Sequence, residues 1–197
     1  SKSPGQSWKP GNFVTDASLL LAMILAEKRQ DSAAAARVLE HLQTTAPDDR
    51  RAWLAQARWH MGHADRRRAA QCIERATSLA PDDHEVLVTG FAMALMDGRF
   101  DDAIRRAERL DALFPQLPDG GLGLADVAIR KGEPELALGP LQQSLDRMPD
   151  SPPLLLSLAN VQLLTNRLTD AEKTIRALAE RSQGPNPSIQ MLEARLL

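Results

Sequence analysis

One interval constrains this chain more than any other. Pro47, Pro81, Pro115 and Pro149 stand 34 residues apart, and Ala35, Ala69, Ala103, Ala137 and Ala171 keep the same interval without a break. Two registers of different residue types that share one period define an internal repeat. The words at the joints return as well: "TTAPDDRRAWL" (Thr44–Leu54) comes back as "TSLAPDDHEVL" (Thr77–Leu87). A unit this short cannot bury its apolar face alone, so such units stack and the stack supplies the core.

Each period divides in the same way. Residues Arg50 to Gly62 predict a helix with Trp53, Ala57 and His60 on one face, and Arg66 to Leu79 predict a second, with Ala69, Ile73 and Ala76 at helical spacing. "GHAD" separates them. Pro81 stops the second helix, because proline disfavours helix in the residue before it and has no N–H to donate. Asp82 and Asp83 then supply a cap and first-turn charge for the next helix. Composition agrees. The chain is 43% hydrophobic yet holds three Trp, four Phe and no Tyr, so its core is built from Ala and Leu, which favour helices. The expected fold class is all-α, with about eleven helices.

With helix pairs at this period, the sequence resembles the tetratricopeptide repeat family. The family pattern wants Trp, Leu, Gly, Tyr, Ala, Phe, Ala and Pro at positions 4, 7, 8, 11, 20, 24, 27 and 32. Counting from Arg50 gives Trp53, Gln56, Ala57, His60, Ala69, Ile73, Ala76 and Pro81; counting from His84 gives Leu87, Gly90, Phe91, Ala94, Ala103, Ala107, Leu110 and Pro115. The resemblance implies a right-handed superhelical α-solenoid of five repeats over residues 16–185 (16–49, 50–83, 84–117, 118–151 and 152–185). Met23 and Phe91 stand at position 8, where the family wants a small residue, and no repeat has Tyr at position 11, which points to a repacked interior. A pentatricopeptide array prefers a 35-residue period, which disfavours an RNA reader. Residues 1–15, with Pro4, Gly5, Pro10 and Gly11, read as an irregular leader. Gln183 stands where the fifth proline is due, and Pro185 follows. Residues 186–197, with Ile189, Leu192 and Leu196 on one face, are either a capping helix or a sixth repeat cut short.

No residue set points to catalysis, a metal or a cofactor. His60 and His63 lie near a helix end without further ligands around them and read as packing residues. Cys72 is the only cysteine, which rules out an internal disulfide, and it reads as a small buried filler. That usage fits a cytoplasmic protein and does not exclude a periplasmic one. The formal net charge of -2 argues against nucleic acid. "DRRRAA" (Asp65–Ala70), lacking interleaved aromatics, reads as a solvated helix face. "DGGLG" (Asp119–Gly123) has neither the Lys-Ser/Thr nor the strand of a phosphate loop, and its glycines are expected to weaken the start of a helix. The longest apolar run, Ser18–Ala26, falls far short of the roughly 20 residues that span a bilayer, so no membrane insertion is expected of this segment.

The resemblance also implies a concave groove lined by the first helix of each repeat. Carried onto this chain, position 5 gives Leu20, Leu54, Val88, Leu122 and Leu156. Position 9 gives Ile24, Arg58, Ala92, Asp126 and Asn160, and position 12 gives Glu27, Met61, Leu95, Ile129 and Leu163. Positions 5 and 12 share a helix face, so stacking predicts two apolar stripes flanking a mixed polar row, and contiguous apolar surface marks an interaction site. The clamp with which some family members hold chaperone tails is not matched, since position 5 is apolar throughout and only Arg51 and Asn160 echo it. The expected function is a non-catalytic scaffold that takes a protein or peptide partner, either a helix or an extended segment. The alternatives are the repeat portion of a larger bacterial enzyme or secretion and assembly protein, the Ala- and Arg-rich composition hinting at a GC-rich bacterial source, and a module that associates with itself.

Overall fold

The structure is a computed structural model that describes residues 10–27, 30–181 and 186–196, with side chains from residue 14 onward. Among the described residues it holds eleven α-helices, one 3₁₀ turn and no strand: α1 (Pro10–Glu27), α2 (Ser32–Thr45), α3 (Arg50–Gly62), α4 (Arg66–Leu79), α5 (His84–Met96), α6 (Phe100–Leu113), α7 (Asp119–Arg130), α8 (Leu138–Arg147), α9 (Pro152–Leu164), α10 (Leu168–Arg181) and α11 (Pro187–Ala194). The fold is an all-α solenoid of helix pairs. The bounds of α3 and α4 coincide with those read from the sequence. One difference lies at the start: α1 begins at Pro10, so residues 10–15, expected to be irregular, are helical. Proline suits a first helical turn, where its missing N–H has no partner to lose and its φ is already set. Residues 1–9 and the Gln183–Pro185 departure lie outside the described residues.

The alanine register is buried throughout. Ala35, Ala69, Ala103, Ala137 and Ala171 are each 0% exposed, which is why that position stays small throughout. A third register, at the turn between paired helices, emerges only from the backbone. Gln30, Ala64, Gly98, Gly132 and Asn166 all have positive φ, between 51° and 78°, and they too stand 34 residues apart. In four of the five turns the next N–H reaches back five residues: Asp65 to His60 O (2.9 Å), Arg99 to Ala94 O (2.8 Å), Glu133 to Ala128 O (2.9 Å) and Arg167 to Gln162 O (2.7 Å). This is a Schellman C-cap, which satisfies carbonyls that the helix end leaves free. Glycine and asparagine tolerate the left-handed conformation; Ala64 and Gln30 adopt it against a steric cost.

The "APDD" joints work as N-caps. Asp49 Oδ1 accepts from Arg51 N (3.0 Å) at the start of α3, and Asp83 Oδ1 accepts from Val86 N (3.2 Å) at the start of α5. Asp83 also takes Arg50 Nη2 at 2.6 Å. Between α7 and α8 the second helix of the pair opens as a 3₁₀ turn, Pro134–Ala137. Pro140 explains it. A continuous α-helix from Pro134 would place Pro140 in its interior, without an N–H and with its ring against an earlier carbonyl. Starting α8 at Leu138 puts Pro140 into the first turn, where proline is tolerated.

The chain divides into two compact units, residues 1–89 and 90–197. In the first, α1 packs on α2 and α3 on α4, and Leu54, Ala76 and Val86 form a buried cluster with Trp53 and Ala80 against it. In the second, a large cluster runs through Ala137, Leu141, Leu154, Leu158, Ile175 and Leu178. Ile189 and Leu192 of α11 join it, and α11 contacts both α9 and α10. A cap and the first helix of a further repeat both call for that packing.

Candidate functional site

A furrow of about 620 Å³ opens in the first unit between α1 and α3. Helix α1 brings Leu19, Ala22, Met23 and Ala26, α3 brings Leu54, Ala55 and Trp59, and Leu39 of α2 closes the floor. Charged side chains line its edge: Asp16 and Glu27 from α1, Arg51 and Arg58 from α3, and Glu85 from α5. Arg51 is already committed. It pairs with Asp16 and donates to Asp49 through Nε (3.1 Å) and Nη2 (2.7 Å). Burial alone would raise the Asp49 carboxyl, but the side-chain and backbone bonds from Arg51, with one from Thr15, outweigh it and hold that carboxyl below its ordinary value. Arg58 is different. It is exposed, and its guanidinium makes one hydrogen bond among the described residues, a long one to Thr89 Oγ1 (3.3 Å). The furrow thus offers an apolar floor, a cation with donor capacity to spare, and acids on its edge.

The expected groove residues fall into three states. Leu20 and Ile24 are exposed, at 53% and 38%. Leu54 and Leu95 are buried, at 1% and 8%, and each belongs to a core cluster, which corrects the expectation that positions 5 and 12 form two open apolar stripes. The reason is packing: Leu54 touches Ala76 and Val86, and Leu95 lies among Ala103, Val127 and Phe100. The remainder, Met61, Val88, Ala92, Leu122, Asp126, Ile129, Leu156 and Asn160, are half-buried. In the second unit Leu122, Ile129, Leu156 and Leu163 pack against the large cluster. Asp126 pairs with Arg130 (3.2 Å), and Asn160 Oδ1 accepts from Arg195 Nη1 at 2.6 Å. Of the predicted set, the furrow brings together Leu54 and Arg58, with Glu27. The sequence reading missed Leu19, Ala22, Ala26 and Trp59. The signal for Met23 was there, in its departure from the small residue expected at position 8.

The residues weighed for chemistry sit as follows. His63 stacks on Trp59 with ring centroids 4.1 Å apart, and its Nδ1 lies 2.8 Å from Trp59 O. His60 Nδ1 is 3.7 Å from Asp65 Oδ2. Among the described residues no group of three or more His, Cys, Asp or Glu is placed to hold a metal ion. Cys72 is buried, its Sγ 3.7 Å from Gln43 Nε2 and 3.8 Å from Gln56 Oε1, and burial pushes its thiol up. No helix among the described residues is long and apolar enough to cross a membrane.

Residues 128–196 match the family model of the tetratricopeptide repeat. Solved structures share the fold. PilF of Pseudomonas aeruginosa superposes with a TM-score of 0.75 at 19% identity, covering 95% of this chain and 85% of its own. PilW, described as a widely conserved type IV pilus biogenesis factor, gives 0.74 at 22%, covering 93% and 84%. A thermophilic tetratricopeptide protein of Thermus thermophilus gives 0.69 at 18%, covering 92% and 98%. Over residues 128–196 the sequence is that of the tetratricopeptide repeat. No curated protein matches its sequence.

The tetratricopeptide fold is a protein-interaction architecture and is typically non-catalytic. The departures from the tetratricopeptide pattern have a physical account in the second unit. Phe91, where a small residue is the rule, is accommodated because the position facing it is Gly123: a Cβ built there would stand 3.2 Å from the Phe91 ring and 3.1 Å from Ala107 Cβ. A large side chain and a missing one fill one space.

Proposed function

We propose that this chain is a non-catalytic protein-interaction scaffold and that a partner segment seats in the furrow between α1 and α3. The observation that carries this reading is the pairing of accessible apolar side chains (Leu19, Met23, Ala26 and Trp59) with the under-used guanidinium of Arg58 at one edge. An apolar anchor buried there contributes roughly 1.5–3 kcal/mol before ordering costs. An acidic group on the partner would meet Arg58 and set orientation and association rate more than affinity. The half-buried Met61 and Val88 extend the candidate surface in the first unit. Ala92, Leu122, Asp126, Ile129, Leu156 and Asn160 remain candidates for a separate surface in the second.

A displayed peptide library tests the reading. Peptides selected against the protein should combine apolar anchors with an acidic side chain. They should lose binding to Ala55→Arg, which fills the furrow, while the helical spectrum stays intact. Arg58→Glu should weaken binding less and flatten its salt dependence. Selected peptides that bind Ala55→Arg as well as wild type would place the partner on another surface. The alternative, the repeat portion of a bacterial assembly protein, draws on likeness of fold to PilF and PilW.

A further inference from the structure

Helix α1 carries apolar side chains on the face turned away from its own core. Its inner side is Thr15 and Ala22, at 0% and 5% exposure. Its outer side shows Val14 at 48%, Leu20 at 53%, Leu21 at 47% and Ile24 at 38%. Val14, Ala17, Leu21 and Ile24 follow a 3-4-3 spacing with Leu20 alongside, which is the seam one helix offers to another. The opposite end of the chain differs. There α11 buries Ile189 and Leu192, and its exposed positions Gln190, Met191 and Glu193 include one large apolar side chain.

We propose that the outer face of α1 pairs antiparallel with the same face of a second copy, centred on Leu20 and Leu21. The seam is self-complementary, as a two-fold dimer requires, and such dimers are the commonest assemblies. Charge selects the direction. Antiparallel pairing sets Glu27 near the positive N-terminal end of the partner helix, whereas parallel pairing sets Glu27 against its own copy. Area sets the strength. Four side chains exposed by about half leave on the order of 300–400 Å² of apolar surface. Two such faces bury on the order of 600–800 Å², which is a weak, concentration-dependent contact.

Sedimentation of the full chain from micromolar to millimolar concentration decides it. The mass should rise from 21.6 kDa towards twice that value. Leu21→Glu should weaken the rise at least tenfold while keeping the helical spectrum and the furrow's capture of selected peptides, which lies on the other side of α1. Under mild oxidation Leu21→Cys should link to its own copy and Val14→Cys should not. A wild-type mass that stays monomeric at millimolar concentration overturns the proposal, and so does a Leu21→Glu variant that dimerises unchanged. Linking of Val14→Cys as readily as Leu21→Cys overturns the antiparallel arrangement.

Discussion

Helices α3 and α7 stand at equivalent places in their repeats and begin in opposite ways. Helix α3 starts with side chains. Asp49 caps it, Ala52 is 0% exposed, and the Trp53 indole donates to Pro47 O at 2.8 Å. Helix α7 starts without them. Its N-cap is Pro118 with no side-chain bond, and Gly120 and Gly121 stand where Ala52 and Trp53 stand in α3. Both glycines are buried. A Cβ on Gly120 would lie 2.5 Å from Asp111 N, and one on Gly121 would lie 2.1 Å from Ser144 Oγ. One helix is held by a cap and a large aromatic, the other by the close approach of α6 and α8. The 34-residue frame therefore specifies where helices meet and leaves open what fills the contact.

The sharpest way to break that comparison is Gly120→Ala. Helix propensity alone favours alanine by roughly 1 kcal/mol, but the new methyl meets the Asp111 backbone, and overpacking of that kind costs about 3 kcal/mol. Urea unfolding should show a clear net loss, well beyond the roughly 1 kcal/mol expected for the reverse change Ala52→Gly in α3. A neutral or stabilising Gly120→Ala would mean that the glycines only loosen α7.

The caps give the next effect. Asp49→Ala should cost about 1–2 kcal/mol at neutral pH. The Asp49 and Asp83 carboxyls both lie below their ordinary values in the fold. Burial opposes this, but bonds from Arg51 to Asp49 and from Arg50 and the Val86 N–H to Asp83 outweigh it. A carboxyl depressed in the folded state contributes its stability above the unfolded value near 3.9 and loses it as pH falls through the folded one. Acidification from pH 6 to pH 3 should therefore lower the urea midpoint, and Asp49→Ala should show a shallower fall. Hydrogen exchange should locate the loss at the start of α3 rather than α7. Equal acid sensitivity at both helices would remove the distinction.

The turns give the smallest effect. Ala64 (φ 59°) and Gly132 (φ 78°) occupy the same place after α3 and α7, and nothing lies within 4 Å of a Cβ built on Gly132. The difference between them is thus backbone alone. Ala64→Gly should stabilise by up to about 1 kcal/mol and Gly132→Ala should destabilise by about the same. Shifts of the same sign would show that the first turn is held by something other than its conformation.

Much of this was legible in the chain. The alanine and proline intervals gave five helix pairs, and the breakers and caps around "GHAD" and "APDD" gave the bounds of α3 and α4, because those signals act over a few residues. The turn register was harder to see. Gly98, Gly132 and Asn166 suit a left-handed residue, whereas Ala64 and Gln30 do not advertise one. Of the candidate site, Arg58 was named from the sequence, Glu27 was passed over, and the apolar stripes were misread.

What the sequence determined by itself is periodicity: how often the chain turns, where helices stop, and which positions stay small. These follow from proline's missing donor, carboxylate caps and the contact distance at Ala35 and its four counterparts, all local matters. Tertiary structure alone decided burial at equivalent positions. Leu20 and Leu54 share a repeat position, yet one is 53% exposed and the other 1%. The pattern within a repeat cannot tell them apart, because Leu54 is covered by Ala76 and Val86 of the elements that follow it. The same holds for "DGGLG": whether a glycine loosens a helix or admits a neighbour depends on how near that neighbour comes, and the backbone of Asp111 comes within contact of Gly120.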